Sequence, residues 1–159
     1  MPDFALFEQK ISLPFRNKNL LKQAFLHRSY INENPTIGLD HNERLEFLGD
    51  AVLELVTTAY LFRQYPDRTE GDLTAYRAAL VNAETLAAVA GDLGVNDYLL
   101  LSRGEQKDAG RARQMILANT FESIVGAIYL DQGYEAARDF ITRFLFPRLA
   151  EIVSQSLWQ

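Results

Sequence analysis

Asn42-Glu43-Arg44-Leu45-Glu46-Phe47-Leu48-Gly49-Asp50-Ala51-Val52 sets three carboxylates into a run of apolar residues. On a helix, Glu43, Glu46 and Asp50 stand at i, i+3 and i+7 and share one face. Like charges at neighbouring helical positions repel by about 0.2–0.5 kcal/mol per exposed pair. The cost grows once water is withdrawn, and burial raises a carboxyl's pKa unless a cation stands nearby. Three acids on one apolar-flanked face therefore do not serve stability. The simplest partner for them is a hard metal ion, so the stretch reads as half of a metal site.

The helix that carries these acids has a readable start and stop. Asp40 and Glu43 have capping-box spacing, and Pro66 ends the helix after about Tyr65. Upstream, residues 3–11 form a short amphipathic helix with Phe4, Phe7 and Ile11 inward, closed by Pro14. Asn17 caps a helix running to about Leu26, and residues 31–39, with Asn34-Pro35 and Gly38, read as a loop. Downstream, Thr69 caps a helix to about Val81, and Asn82 caps another that ends near Gly91 and Gly94. Residues 102–110 read as a loop. A long helix spans about Arg111 to Asp131 with Gly133 past its end, and a last helical stretch from Tyr134 is kinked or restarted at Pro147. No alternating strand and no internal repeat is present. The expected fold is an all-α helical bundle, one domain over residues 1–159.

Composition narrows the chemistry. A chain of 159 residues with 48% hydrophobic content can build one core. Its net charge of −5 makes it no general nucleic-acid magnet, so binding of that kind must rest on a local basic patch or on metals that cancel the acids. There is no cysteine, which removes disulfides, zinc–thiolate sites and thiol catalysis. The first residues make no signal-peptide core, and no segment approaches a membrane span, so no membrane partner and a cytoplasmic location are expected. No Gly-x-Ser-x-Gly elbow, phosphate-binding loop or dinucleotide fingerprint is present. Of the two histidines, His41 is placed to orient a neighbour of the acidic face. His27 reads as structural, hydrogen-bonded near Ser29 and Tyr30.

A second set of oxygen donors interrupts the long downstream helix. Asn119 and Glu122 stand at i and i+3 within Ile116-Leu117-Ala118-Asn119-Thr120-Phe121-Glu122-Ser123-Ile124-Val125-Gly126-Ala127. If the two helices pack side by side, Glu46, Asp50, Asn119 and Glu122 converge. Carboxylates, an amide oxygen and water make an oxygen-only site, suited to Mg²⁺ or Mn²⁺ and poor for zinc. Glu70-Gly71-Asp72 could border the same cleft, although Asp72 also suits a helix N-terminus. Glu54 reads as solvent-exposed. Arg103, Lys107, Arg111 and Arg113 form the densest basic stretch and could hold a phosphate backbone, by shape and charge rather than by base sequence.

Four blocks in order resemble the catalytic domain of the ribonuclease III family. They are His27-Arg28-Ser29-Tyr30 followed by Asn32-Glu33, then His41 through Val52, then Glu70-Gly71-Asp72-Leu73, then Ile116 through Asp131. The resemblance covers nearly the whole chain, and the second block looks like the family's signature. It implies a bacterial-type helical endonuclease domain that forms a homodimer and needs Mg²⁺, with Mn²⁺ as a substitute. The implied activity is cleavage of double-stranded RNA to 5′-phosphate and 3′-hydroxyl ends, in rRNA and mRNA processing. Carried over by position, Glu46, Asp50, Asn119 and Glu122 would bind metal, and Asp50 and Glu122 would be most directly tied to chemistry. Glu43 and Glu70 would line the cleft, and Phe47 would lie at the dimer contact.

Two departures accompany the resemblance. Bacterial members usually carry Asp where Asn119 stands, and one neutral oxygen lowers the expected metal affinity. The chain also ends at Leu157-Trp158-Gln159, about where relatives begin the linker to a double-stranded-RNA-binding domain. Weak and salt-sensitive substrate binding is the expectation. Asn119 motivates an alternative, a non-catalytic double-stranded-RNA-binding or scaffold protein that retains the fold. A bare helical dimerisation module would have no use for the clustered acids.

Overall fold

Residues 111–132 form the axis of the molecule. In the computed structural model, which describes residues 1–157, the helix Arg111–Gln132 (α8) buries Ile116, Leu117, Ala118, Phe121, Ile124, Val125, Ala127 and Ile128. A helix apolar on nearly every side must be enclosed by others. Around it stand α2 (Lys18–Ala24), α4 (Glu43–Gln64), α6 (Ala83–Asp92) and α9 (Tyr134–Phe144), and α4 makes the most extensive contact. The remaining helices are α1 (Phe4–Ile11), α3 (Arg28–Glu33), α5 (Glu70–Leu80), α7 (Arg103–Lys107) and α10 (Leu149–Leu157). The all-α expectation holds. The one β-type pairing among the described residues is an isolated bridge between Leu26 and Leu100. No helix among them is long and apolar enough to cross a membrane. Trp158 and Gln159, at the expected start of the linker, lie outside the described residues.

Several expected caps are present. Asn17, Thr69 and Asn82 each accept a backbone N–H from the first turn of α2, α5 and α6. The two ends of the core are also tied together. Asp131 at the end of α8 accepts the backbone N–H groups of Arg16 and Asn17, both at 2.8 Å. Burial pushes the Asp131 carboxyl up, but these bonds outweigh it and hold the group below its ordinary value.

Four expectations need correction. Residues 31–33 are helical, as the last turn of α3, so the loop is confined to about 34–42. The stretch 102–110 is not all loop: Arg103–Lys107 is a helix whose cap Ser102 accepts from the Glu105 N–H at 3.1 Å. Ser102-Arg103-Gly104-Glu105 has the capping-box spacing that marks such a start. The helix begun at Asn17 ends at Ala24 rather than Leu26, because Leu26 and His27 turn to pair with the strand-like segment at Leu100. Asp40 does not cap α4; its carboxylate accepts from the His41 N–H, and the helix begins at Glu43 after Asn42. Pro147 sits in a single 3₁₀ turn, Phe146–Arg148, that restarts the chain as α10.

Candidate active site

Two glycines set the distance between the acid-bearing helices. A methyl group on Gly49 of α4 would run into the carbonyl oxygen of Glu122 on α8. One on Gly126 would run into the carbonyl oxygen of Leu45 and come within 3.1 Å of the Gly49 nitrogen. The two backbones therefore touch at a place where any side chain would hold them apart. Glu46 and Asp50 flank Gly49 on one helix, and Asn119 and Glu122 lie just before Gly126 on the other. Close approach at the glycines is what brings the two halves of the constellation together.

The start of α4 is pinned independently. Asn42 is buried; its side-chain amide donates to the Ala24 carbonyl and its backbone N–H to the Leu26 carbonyl, both at 2.9 Å. Its own carbonyl accepts from Ser123 Oγ at 3.2 Å. Asn42 thus clips α4 to the end of α2 and to α8 at once, instead of acting as a cap.

The resulting cleft has a volume of about 500 Å³ and is lined by Glu43, Glu46, Phe47, Asp50, Asn119 and Glu122. No basic side chain lines it. Glu122 is pushed up to about 8, first by burial, then by its hydrogen bond with Asp50 and by the charges of Asp50 and Glu46. Glu46 is raised as well, by burial and then by Glu43 and Asp50. At neutral pH in a cation-free cleft, the Glu122 carboxyl keeps its proton. A divalent cation relieves the same repulsion without that proton. The donor set, three carboxylates and one amide oxygen, fits a hard, oxygen-seeking ion. Among the described residues no three carboxylate or imidazole groups stand close enough to hold one ion by themselves.

The other expected residues are distributed around this cleft in different ways. Glu43 lines it but is paired with Arg28 at 2.8 Å, an exposed ion pair worth under about 1 kcal/mol. His41 stands beside the same carboxylate at 3.9 Å. Glu70 is not in this cleft. It lines a different cavity, of about 440 Å³, with Leu61, Phe62, Arg68, Leu73 and Arg77, and Phe62 lies about 22 Å along α4 from Phe47. Lys107 and Arg111 are exposed, and Arg111 lies about 12 Å along α8 from Asn119. Arg113 is committed elsewhere. Its guanidinium donates to the carbonyls of Glu105 and Gln106 at the end of α7 and to Asn96. Phe47 is 83% exposed at the mouth of the cleft. Glu54, expected in solvent, is exposed and stands 3.8 Å from Arg77.

Sequence reading gave no part to Gly49, Gly126, Asn42 or Ser123. The glycines carried a signal, since each sits in mid-helix next to large apolar residues, where glycine costs stability of about 1 kcal/mol relative to alanine. His27 is hydrogen-bonded to Ser29, as expected, with Nδ1 accepting from the Ser29 N–H at 3.1 Å. Burial lowers its pKa, ahead of the opposing charge of Glu105.

The sequence profile of the ribonuclease-III-like family matches residues 17–149, which takes in both acid-bearing helices. The chain belongs to that family. It is 51% identical over 152 residues to Ribonuclease 3 of Chloroflexus aurantiacus, covering 94% of this chain and 62% of the relative. It is 47% identical over 146 residues to Ribonuclease 3 of Bacillus velezensis, covering 92% and 59%. The chain thus spans about three-fifths of the length of these relatives. Among solved structures, the nuclease domain of ribonuclease III from Campylobacter jejuni superposes with a TM-score of 0.82 at 39% identity, over 91% of this chain and 97% of that one. That structure was described as showing flexibility in a region involved in dimer formation. Dicer from Pichia stipitis matches at 28% identity and a TM-score of 0.64, over 87% of this chain and 59% of that one. Family membership agrees with the resemblance of the four sequence blocks and with the helical fold.

Proposed function

We propose that this chain is a divalent-cation-dependent endonuclease domain that hydrolyses double-stranded RNA to 5′-phosphate and 3′-hydroxyl ends. The carrying observation is the cleft itself: clustered carboxylates and an amide, no basic side chain among the described residues that line it, and a Glu122 carboxyl pushed up to about 8 by burial and by Asp50. Glu46, Asp50, Asn119 and Glu122 would hold Mg²⁺, with Mn²⁺ as a substitute. A divalent ion held there supplies an activated water and neutralises charge that develops on the phosphate. The chain's own side chains do the rest. Glu122, whose carboxyl is pushed up by burial and by Asp50, would give up its proton when an ion is held beside it. Glu43 lines the cleft and Arg28 the smaller cavity beside it, and Lys107 and Arg111 offer exposed positive charge. With a net charge of −5, RNA binding is expected to be weak and to weaken further as salt rises. An RNA substrate makes the cytoplasm its working compartment.

A two-fold dimer is part of this reading. The outer face of α4 exposes Phe47, Leu55 and Phe62, large apolar side chains left uncovered by the described residues. The cavity that holds Glu70 lies at the far end of the same face and has Leu61, Phe62 and Leu73 in its walls. A two-fold contact pairs such a surface with itself, so Phe47 of each protomer can enter the cavity of the other. Because Phe47 also lines the acid cleft, this seating brings Glu70 of the partner subunit to the edge of that cleft. The expected cleft role of Glu70 is then met across the dimer, not within one chain.

The alternative is a non-catalytic double-stranded-RNA-binding or scaffold protein, favoured by the neutral Asn119. The two readings separate in one assay. Long duplex RNA incubated with the protein and Mg²⁺ at low salt should be cut to short fragments bearing 5′ phosphates. Intact RNA with both Mg²⁺ and Mn²⁺, together with retained RNA binding, would favour the scaffold.

A further inference from the structure

Beside the acid cleft lies a smaller cavity of about 80 Å³, with His27, Arg28, Glu43, Glu46, Asn119 and Thr120 in its walls. It shares Glu43, Glu46 and Asn119 with the cleft. The hydrogen bonds of His27 define which face of its ring is free. The Ser29 Oγ accepts from the Ser102 N–H at 2.9 Å and lies 2.7 Å from His27 Nδ1. Nδ1 accepts from the Ser29 N–H. A backbone N–H can only donate, so Nδ1 carries no proton and the proton of the neutral ring is assigned to Nε2. Among the described residues no hydrogen bond is made by Nε2.

The cavity therefore combines donors, the Nε2–H of His27 and the Arg28 guanidinium, with the carboxylate acceptors of Glu43 and Glu46. Two carboxylates in the wall repel a phosphate. The volume suits a hydroxyl group or two or three waters and excludes a base. A group that both donates and accepts in a small space is a hydroxyl. On an RNA strand the ribose 2′-hydroxyl is the neighbour of the 3′ oxygen that leaves on cleavage. A phosphate at the acid cleft and a hydroxyl in the adjoining cavity match that neighbourhood.

We propose that this cavity receives the ribose 2′-hydroxyl next to the scissile phosphate, with His27 Nε2–H donating to it, which makes His27 a specificity-determining residue for RNA over DNA. The proposal rests on the reading of the chain as a duplex-RNA endonuclease, and its test separates the two. Single-turnover cleavage is measured on a defined RNA duplex and on the same duplex with one 2′-deoxy nucleotide, moved in turn through the positions flanking the cut. His27→Asn keeps an acceptor for the Ser29 N–H but has no atom at the Nε2 position. His27→Gln returns an N–H near that position. At one position the deoxy nucleotide should slow the unaltered protein about 3–10-fold, the worth of one neutral hydrogen bond. His27→Asn should cut the all-ribose duplex slower by the same factor and lose the ribose effect at that position. His27→Gln should recover part of the effect.

Equal slowing of both duplexes by His27→Asn would show a structural role only, and would overturn the proposal. So would a ribose effect that does not depend on residue 27, the result expected if the cavity holds only water. If His27→Asn lowers the melting midpoint by more than a few degrees, the His27→Gln comparison decides. Failure of the unaltered protein to cut the all-ribose duplex with Mg²⁺ or Mn²⁺ would overturn the endonuclease reading and this proposal with it. Cleavage without a His27-dependent ribose effect overturns this proposal alone.

Discussion

Gly126→Ala will destabilise the protein by about 3 kcal/mol or more, and Gly49→Ala will do the same. Neither glycine is required by a positive φ; both sit within regular helices. The need is steric. The added methyl meets a carbonyl oxygen of the facing helix, and backbone cannot rotate aside as a side chain can. Overpacking a core ordinarily costs about 1–3 kcal/mol. Here the intruded atoms belong to the main chain of the most extensive helix–helix contact in the molecule, so the upper end of that range is the minimum expected. For a chain of this size the melting midpoint should fall by roughly 10 °C. Separation of α4 from α8 also spreads Glu46 and Asp50 away from Asn119 and Glu122, so whatever protein remains folded should bind cations more weakly. Thermal melting followed by circular dichroism checks the first effect. A Gly126→Ala protein that melts within 2–3 °C of the unaltered one would show that the helices are free to move apart.

Asp50→Asn or Glu122→Gln will reduce RNA cleavage by on the order of a thousandfold, the loss expected when several kcal/mol of charge stabilisation at the phosphate is withdrawn. The same substitutions should not harm the fold. Each removes one carboxyl from a crowded, partly buried pair, and Gln at 122 still offers a hydrogen bond to Asp50. Activity and stability therefore move in opposite directions. Cleavage rates measured beside melting midpoints check this, and a variant that loses both together would mean that the acids are structural.

The legible part of this molecule is the part that periodicity carries. Glu43, Glu46 and Asp50, and Asn119 and Glu122, declared themselves because acids spaced by three, four or seven residues on apolar helices conflict with simple stability. The caps at Asn17, Thr69 and Asn82 were readable for the same local reason. What was not legible depends on a second segment. Asp40 has the spacing of a cap but is idle, because buried Asn42 already fixes the start of α4 by bonds to α2 and α8. Arg113 looked like one more cation in a basic stretch. Its guanidinium instead holds the carbonyls that end α7, a helix whose capping box at Ser102 was there to be read. Glu70 was expected beside the acids and lies in another cavity, since α4 separates the two by several turns. Gly49 and Gly126 were visible as residues, but their meaning appears only once the two helices are laid together.

The central claim is that the α4 and α8 carboxylates form a cation site, and the melting midpoint as a function of pH, with and without Mg²⁺, tests it most directly. Glu122 has an ordinary value of 4.5 and is pushed up to about 8 in the folded protein. Between those values the folded state holds a proton that the unfolded chain has released, so stability falls as pH rises through that window. The shift sets an upper bound of a few kcal/mol, which solvent in the open cleft reduces to about 1–2 kcal/mol. The chelated protein should thus melt roughly 5 °C lower at pH 9 than at pH 5 in excess of any change shown by Glu122→Gln. Saturating Mg²⁺ should erase that excess in the unaltered protein and raise the midpoint of Glu122→Gln much less. A profile that matches Glu122→Gln at every pH and does not respond to Mg²⁺ or Mn²⁺ would contradict the account.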